Sequence, residues 1–192
     1  MGREFELKFR AVPQQIDAIR EHYGHFSSIS METTYYDTPS QDLRRLHWTL
    51  RRRMENGRSV CTLKTPLPDG SRGEWELEAA SIEAAIPELC NLGAPRQLLV
   101  LTAEGVAPFC GARFTRLAKR ISGDAVTVEL ALDQGVLLGG GKELPFSEVE
   151  VEYKQGREDA AVTFAQALAE EYALVPEPKS KVARAMALTQ TI

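Results

Sequence analysis

The chain has 192 residues, a formal net charge of −4 and three cysteines, and its length suits one compact unit over residues 1–192 that hides about 70% of its unfolded surface. No apolar run approaches the ~20 residues of a bilayer span, and the amino terminus lacks a signal peptide's apolar stretch, so a cytoplasmic protein without membrane contacts is expected. The acidic balance counts against nucleic-acid binding, and Cys61, Cys90 and Cys110, odd in number and without a CxxC pair, count against a disulfide framework or thiolate zinc site.

In chain order, the first strand is expected over 3–10, where Glu4-Phe5-Glu6-Leu7-Lys8 places Glu4, Glu6 and Lys8 on one face and Phe5, Leu7 and Phe9 on the other. Pro13 opens a helix over 13–23 that ends near Gly24. Strands follow over 31–37, 47–54, 59–65 and 73–79, with Asn56-Gly57 a hairpin turn between the second and third of these. Ser81 and Gly93 bracket a helix over 81–92. Residues 94–112 carry no readable pattern. Strands over 113–121 and 125–133 turn at Ser122-Gly123-Asp124, and another runs over 146–153; Gly139-Gly140-Gly141 reads as a mobile loop. A helix over 158–172 has one apolar side, and a shorter one after Ser180 carries Lys181 and Arg184 in its first turn. Short connections make the pairing antiparallel, and the fold class is α+β.

Strand parity groups the charges. Glu4, Glu6, Lys8 and Arg10 share a face, as do Arg51 and Arg53; Glu74, Glu76 and Glu78; Arg116 and Arg120; Glu129 and Asp133; and Glu148, Glu150 and Glu152. Such faces fit either the solvated side of an open sheet or a charged lumen. A solvated sheet favours opposite charges interleaved, because like charges side by side repel, whereas here the signs are segregated by strand. Enclosing these faces requires bound counter-charges, which divalent metals and a polyanion supply: carboxylates suit magnesium or manganese, and Arg and Lys suit phosphate.

An ordered set of motifs then carries a family resemblance. Glu4-Phe5-Glu6-Leu7-Lys8 resembles the ExExK signature of the CYTH superfamily, the triphosphate tunnel metalloenzymes. Tyr35-Tyr36-Asp37-Thr38-Pro39, Leu50-Arg51-Arg52-Arg53, Thr62-Leu63-Lys64, Arg72-Gly73-Glu74-Trp75-Glu76, Phe114-Thr115-Arg116, the run from Val128 to Gly135, Glu148-Val149-Glu150 and Ser180-Lys181 with Arg184 follow in the family's order. The last segments are most similar to the bacterial inorganic triphosphatase branch.

The resemblance implies an eight-stranded antiparallel barrel, closed as a tunnel, with helices packed outside. It implies that Lys8, Arg51, Arg53, Lys64, Arg116, Arg120, Lys181 and Arg184 hold a triphosphate, that Glu4, Glu6, Asp133, Glu148 and Glu150 hold two magnesium or manganese ions, and that Glu74, Glu76, Glu129 and Glu152 support them. The catalytic set is Glu4, Glu6, Lys8, Glu148 and Glu150, with the ExE pair at 148 and 150 or one step later. The implied reaction is metal-assisted hydrolysis of a terminal phosphoanhydride bond of inorganic triphosphate, by a monomer or homodimer. A thiamine or nucleoside triphosphatase, an adenylate cyclase and a non-catalytic polyphosphate-binding module are the alternatives. Thr49, at the inward parity where an aromatic residue would stack on an organic group, favours bare triphosphate.

Overall fold

The structure is a computed structural model describing residues 2–68 and 71–190, the first three of these by backbone alone. The amino-terminal segment forms two strands rather than one, β1 (Gly2–Glu4) and β2 (Glu6–Arg10). They part at Phe5 because they serve different neighbours. β1 lies antiparallel to β6 (Arg72–Glu78), with Glu4 opposite Arg72, whereas β2 lies antiparallel to β9 (Lys142–Gly156), with Glu6 opposite Glu152 and Lys8 opposite Glu150.

The remaining strands are β3 (Ser27–Asp37), β4 (Thr49–Glu55), β5 (Arg58–Pro66), β7 (Ala107–Ser122), β8 (Val126–Gly139) and the two-residue β10 (Val175–Pro176). Their order is β1-β6-β5-β4-β3-β7-β8-β9-β2-β10. Since β1 and β2 are one segment interrupted at Phe5, the order returns to its start. Counted so, eight antiparallel strands surround a lumen, as expected, and β10 is added beside β2.

Two apolar layers on the outer face hold the barrel. Helices α1 (Pro13–Tyr23) and α5 (Glu158–Glu171) cover Phe9, Val128, Leu130, Leu132, Val149 and Val151 with Ile16, Ile19, Ala161, Ala165 and Leu168. Pro13 starts α1 without losing a needed N–H, and Gly24 at φ 54° ends it. On the other side α2 (Asp42–Arg45), α3 (Ile82–Asn91) and α4 (Gln97–Leu101) cover Leu50, Cys61, Leu63 and Trp75. The Ser81 hydroxyl accepts the Ala84 N–H and caps α3. Each fully buried Leu or Ile contributes roughly 1.5–3 kcal/mol of transfer free energy.

The last helix, α6 (Lys181–Thr189), departs from the expectation that the helices lie outside. Its Ala185 packs with Met31, Tyr35, Ala112, Phe114 and Leu137, which lie on the lumen face of β3, β7 and β8. That end of the lumen is apolar and needs cover, and Gly139 lets the helix approach: a Cβ there would stand 2.3 Å from the Ala185 carbonyl oxygen.

The hairpin β7-β8-β9 is much longer than its hydrophobic alternation suggests. Gly139-Gly140-Gly141 is its tight turn and not a loop: Gly139 pairs with Lys142, and Gly140 and Gly141 take φ 57° and 73°, the two left-handed positions of a type I′ turn. Asn56 and Gly57, at φ 48° and 87°, make the expected turn of the same kind. Residues 94–112, unreadable by periodicity, supply α4 and the start of β7.

Two substitutions separate these contributions in urea unfolding. Leu130→Ala is expected to cost about 2–5 kcal/mol through the cavity it leaves in the outer core. Gly139→Ala is expected to cost about 1–3 kcal/mol through overpacking against α6. Equal stability of Gly139→Ala and the parent would contradict the close approach of α6 to the turn.

Candidate functional site

Inside the barrel lies a cavity of about 360 Å³, lined by side chains from every strand from β2 to β9 and by Ser180, Lys181 and Val182 at the start of α6. One wall is cationic. Arg51 and Arg53 of β4, Lys64 of β5 and Arg72 of β6 face the cavity, because β4 and β5 present alternate residues inward from a tight hairpin. Glu74 and Glu76 on the neighbouring strand aim them. Lys64 Nζ is 3.3 Å from Glu74, while Arg51 stands 3.8 Å from Glu74 and 3.9 Å from Glu76. Thr62 Oγ1 donates to Glu76 at 2.8 Å and fixes that carboxylate.

Like charges crowd this wall, although Glu55 and Glu76 flank Arg53. Burial first, and then the adjacent Arg51, hold the Arg53 guanidinium below its ordinary value. The Nε atoms of Arg53 and Arg72 are buried with no hydrogen-bond partner among the described residues. Buried unpaired donors on crowded guanidinium groups are the chemistry that phosphate oxygens satisfy.

Across the cavity the register sets three carboxylates abreast. Glu6 of β2 is opposite Glu152 of β9, which is opposite Glu129 of β8. Their side chains are 26%, 28% and 28% exposed, and Lys154 reaches Glu152 at 2.8 Å and Glu129 at 3.9 Å. Like charges in such a row repel unless a cation joins them.

A second carboxylate cluster lies deeper. Asp133, Glu148 and Glu150 each bring an oxygen within 4.8 Å of the others, and the side chains of Asp133 and Glu148 are fully enclosed. Lys181 is set among them, 2.8 Å from Asp133 and 2.7 Å from Glu150, and it also contacts Glu148. Arg116 grips Asp133 through two hydrogen bonds of 2.8 Å and contacts Glu150, and Arg184 contacts Glu148. Burial pushes Glu148 up to about 7 against the pull of Lys181. Burial also acts to raise Glu150, but Lys181 and Arg116 outweigh it and hold this carboxyl well below the usual range. Burial opposes the charge on Lys181 too, and the carboxylates overcome it, so the ammonium stays protonated.

Both carboxylate groups offer oxygen alone, the donor set that hard divalent cations prefer. They differ in what already balances them. The deep cluster is matched by Lys181, Arg116 and Arg184, whereas the row at Glu6, Glu152 and Glu129 opens to the cavity, with Lys8 3.6 Å from Glu6 and Lys154 beside the other two.

Most of the residues singled out from sequence meet here. Glu6, Lys8, Arg51, Arg53, Lys64, Glu74, Glu76, Arg116, Glu129, Glu150, Glu152 and Lys181 all line the cavity. Glu150 and Glu152 are thus the ExE pair that faces it, and Glu148 lies behind with Asp133, tied to α6. Arg184 stands behind the wall against Glu148 and Glu177. Arg120 keeps its parity, opposite Glu129, but is exposed near the end of β7 and does not line the cavity. The Glu4 side chain lies outside the described residues. Arg72 and Lys154 line the cavity without having been singled out; extending the parity of Glu74 back by two residues and of Glu152 forward by two finds both. Tyr35 also lines it, with its phenol kept protonated first by burial, against Arg51 and Lys181.

Other polar and aromatic residues serve the fold outside the main cavity. Asp37 accepts the Thr38 and Leu43 N–H groups and pairs with Arg44 at 2.9 Å, so it organises a local turn, while Arg45 pairs with Asp42. Trp75 belongs to the outer core, and Trp48 packs against it.

Known proteins resemble this chain in sequence and in fold. The chain is 27% identical over 175 residues to an inorganic triphosphatase of Haemophilus influenzae, covering 88% of this chain and 50% of that protein. It therefore spans about half the length of the curated relative it matches. Solved structures with the same fold include a candidate adenylate cyclase from Bacillus halodurans (21% identity, TM-score 0.69, 94% of this chain and 96% of that one). They also include HpAC1 from Hippeastrum, described as a candidate adenylyl cyclase with a dominant triphosphatase activity (19% identity, TM-score 0.69, 97% of this chain and 96% of that one). The CYTH domain family matches residues 2–186, and together with the barrel and its two charged walls this places the chain in the CYTH family.

Proposed function

We propose that the protein hydrolyses inorganic triphosphate to pyrophosphate and phosphate, with magnesium or manganese, inside the lumen. The observation that carries this reading is the opposition of two walls across one cavity: Arg51, Arg53, Lys64 and Arg72 on one side, and the row Glu6, Glu152 and Glu129 on the other. A triphosphate is the ligand class that presents oxygens to both. The similarity to the Haemophilus inorganic triphosphatase supports it.

In this reading the guanidinium groups and Lys64 bind the phosphate chain and hold it in line for attack, and they stabilise the charge that builds on the leaving oxygens. Lys181 and Arg116 extend the cradle from the α6 side, positioned by the deep carboxylates. Glu6, Glu129, Glu150 and Glu152 would hold the cation, with Glu4 as a further candidate ligand and Asp133 and Glu148 as backing charges. Bound there, a divalent ion supplies a more acidic water and neutralises phosphate charge. No covalent nucleophile is needed.

A second reading has its own support. A smaller cavity of about 180 Å³ shares Tyr35, Thr49, Arg72 and Val182 with the main one, and Tyr36, Trp48 and Phe109 help to wall it. A nucleoside or thiamine group carried on the triphosphate would find aromatic surface there.

Phosphate release from tripolyphosphate, ATP, thiamine triphosphate and pyrophosphate, each with magnesium, manganese or EDTA, tests both readings. Turnover that requires metal and favours tripolyphosphate is expected. Preference for an organic triphosphate would move the assignment to the second reading, and binding without release from any compound would make the protein a polyphosphate-binding module.

Substitutions locate the chemistry. Glu6→Gln should lower the rate of release about 100-fold or more while tripolyphosphate still binds. Unchanged turnover would contradict the placement of the metal ligands. Lys181→Gln should cost about 3–5 kcal/mol in urea unfolding, because it strands buried carboxylates, and should also weaken tripolyphosphate binding.

A further inference from the structure

Glu177 plays no part in the cavity, yet its carboxylate is only 8% exposed. It lies in the segment that joins β10 to α6. Its N–H donates to the Lys8 carbonyl at 2.9 Å, continuing the pairing of β10 with β2 by one residue. Its Oε1 accepts the Lys179 N–H at 2.9 Å, which fixes the carboxylate. Its Oε2 is 3.8 Å from Arg184 and 3.6 Å from Arg10. Arg184 also contacts Glu148, and Glu148 contacts Lys181. A line of alternating charges therefore runs from Glu177 through Arg184 and Glu148 to the ammonium in the cavity wall.

Two facts give this line a direction. Residues 181 and 184 are three apart on one helix and so face the same way, and Glu177 joins β2, with Glu6 and Lys8, to α6, with Lys181. A buried carboxylate is costly unless a cation offsets it, and Arg184 is the more enclosed of the two cations beside it, at 13% exposure against 61% for Arg10. We propose that Glu177 is a positioning residue: it holds Arg184, and through Arg184 and Glu148 it sets the place of Lys181 relative to the strand that carries Glu6 and Lys8. This inference rests on the reading of Lys181 as a triphosphate-binding group.

Glu177→Gln isolates the charge, because the amide oxygen still accepts the Lys179 N–H. Tripolyphosphate affinity is measured by calorimetry in EDTA, where no hydrolysis is expected, for the parent, Glu177→Gln, Arg184→Gln and the double variant, with melting temperatures alongside. The expected result is an affinity about tenfold lower for Glu177→Gln and no further loss when it is added to Arg184→Gln. A purely structural role would lower the melting temperature and leave affinity unchanged. That result, or full additivity of the two changes, overturns the proposal. If Glu177→Gln does not fold, Glu177→Asp, which keeps the charge but draws it back from Arg184, enters the same cycle with the same expectations. A parent protein that binds tripolyphosphate without hydrolysing it would sink the proposed reaction and leave this inference standing, whereas a parent that does not bind it would sink both.

Discussion

Enclosed like charges must be compensated, and this constraint shapes the whole molecule. Asp133, Glu148 and Glu150 come from adjacent strands, so their carboxylates are forced together by the spacing of the sheet. Left alone, three buried carboxylates would cost several kcal/mol each. Arg116 arrives from the neighbouring strand, but Lys181 and Arg184 arrive from α6, which explains why one helix enters the lumen while the others stay outside. The helix completes the charge balance as much as it covers Phe114 and Met31.

The same constraint divides the barrel into parts with different tasks. Its cohesion comes from the two outer layers, where α1 with α5 and α2 with α3 and α4 cover apolar residues on the far face of the strands. Because those layers hold the strands, the inner face is released from packing and can be polar. Its deep end is internally neutralised. In its middle, pairs such as Lys64 with Glu74, Lys8 with Glu6 and Lys154 with Glu152 offset part of the charge, while the guanidinium groups of β4 crowd one another and the carboxylates of β2, β9 and β8 stand abreast. Closure through the shared segment at Phe5 sets these two walls on opposite sides of one lumen. The strand-borne part of the site is thus a product of register, and the start of α6 adds Ser180 and Lys181 to it.

Much of this was legible in the sequence because a strand's period is two. The parity of Glu6 and Lys8, of Arg51 and Arg53, and of Glu150 and Glu152 carried directly into the cavity, and helix boundaries at Pro13, Gly24 and Ser81 were set by local capping chemistry. Parity does not measure depth, however. It could not distinguish Glu148, sealed under α6, from Glu152 in the cavity, nor show that Arg120 runs past the cavity's end. The long hairpins escaped notice because their distal halves, as at Val136-Leu137-Leu138, carry no polar alternation, and three consecutive glycines resemble a loop when two of them are the turn and the third makes room for α6. The inward position of α6 was equally hidden, since an amphipathic helix gives no sign of which face of a sheet it will meet.

If one wall binds phosphate and the other a divalent cation, each ligand offsets the charge that the other meets. The most direct measurement is the affinity for Mn²⁺ by electron paramagnetic resonance at several tripolyphosphate concentrations, with the converse titration, both corrected for chelation in solution. Each ligand is expected to tighten the other by the same factor, as linkage requires. Mn²⁺ affinity that is indifferent to tripolyphosphate, or weakened by it, would contradict a shared site between the two walls.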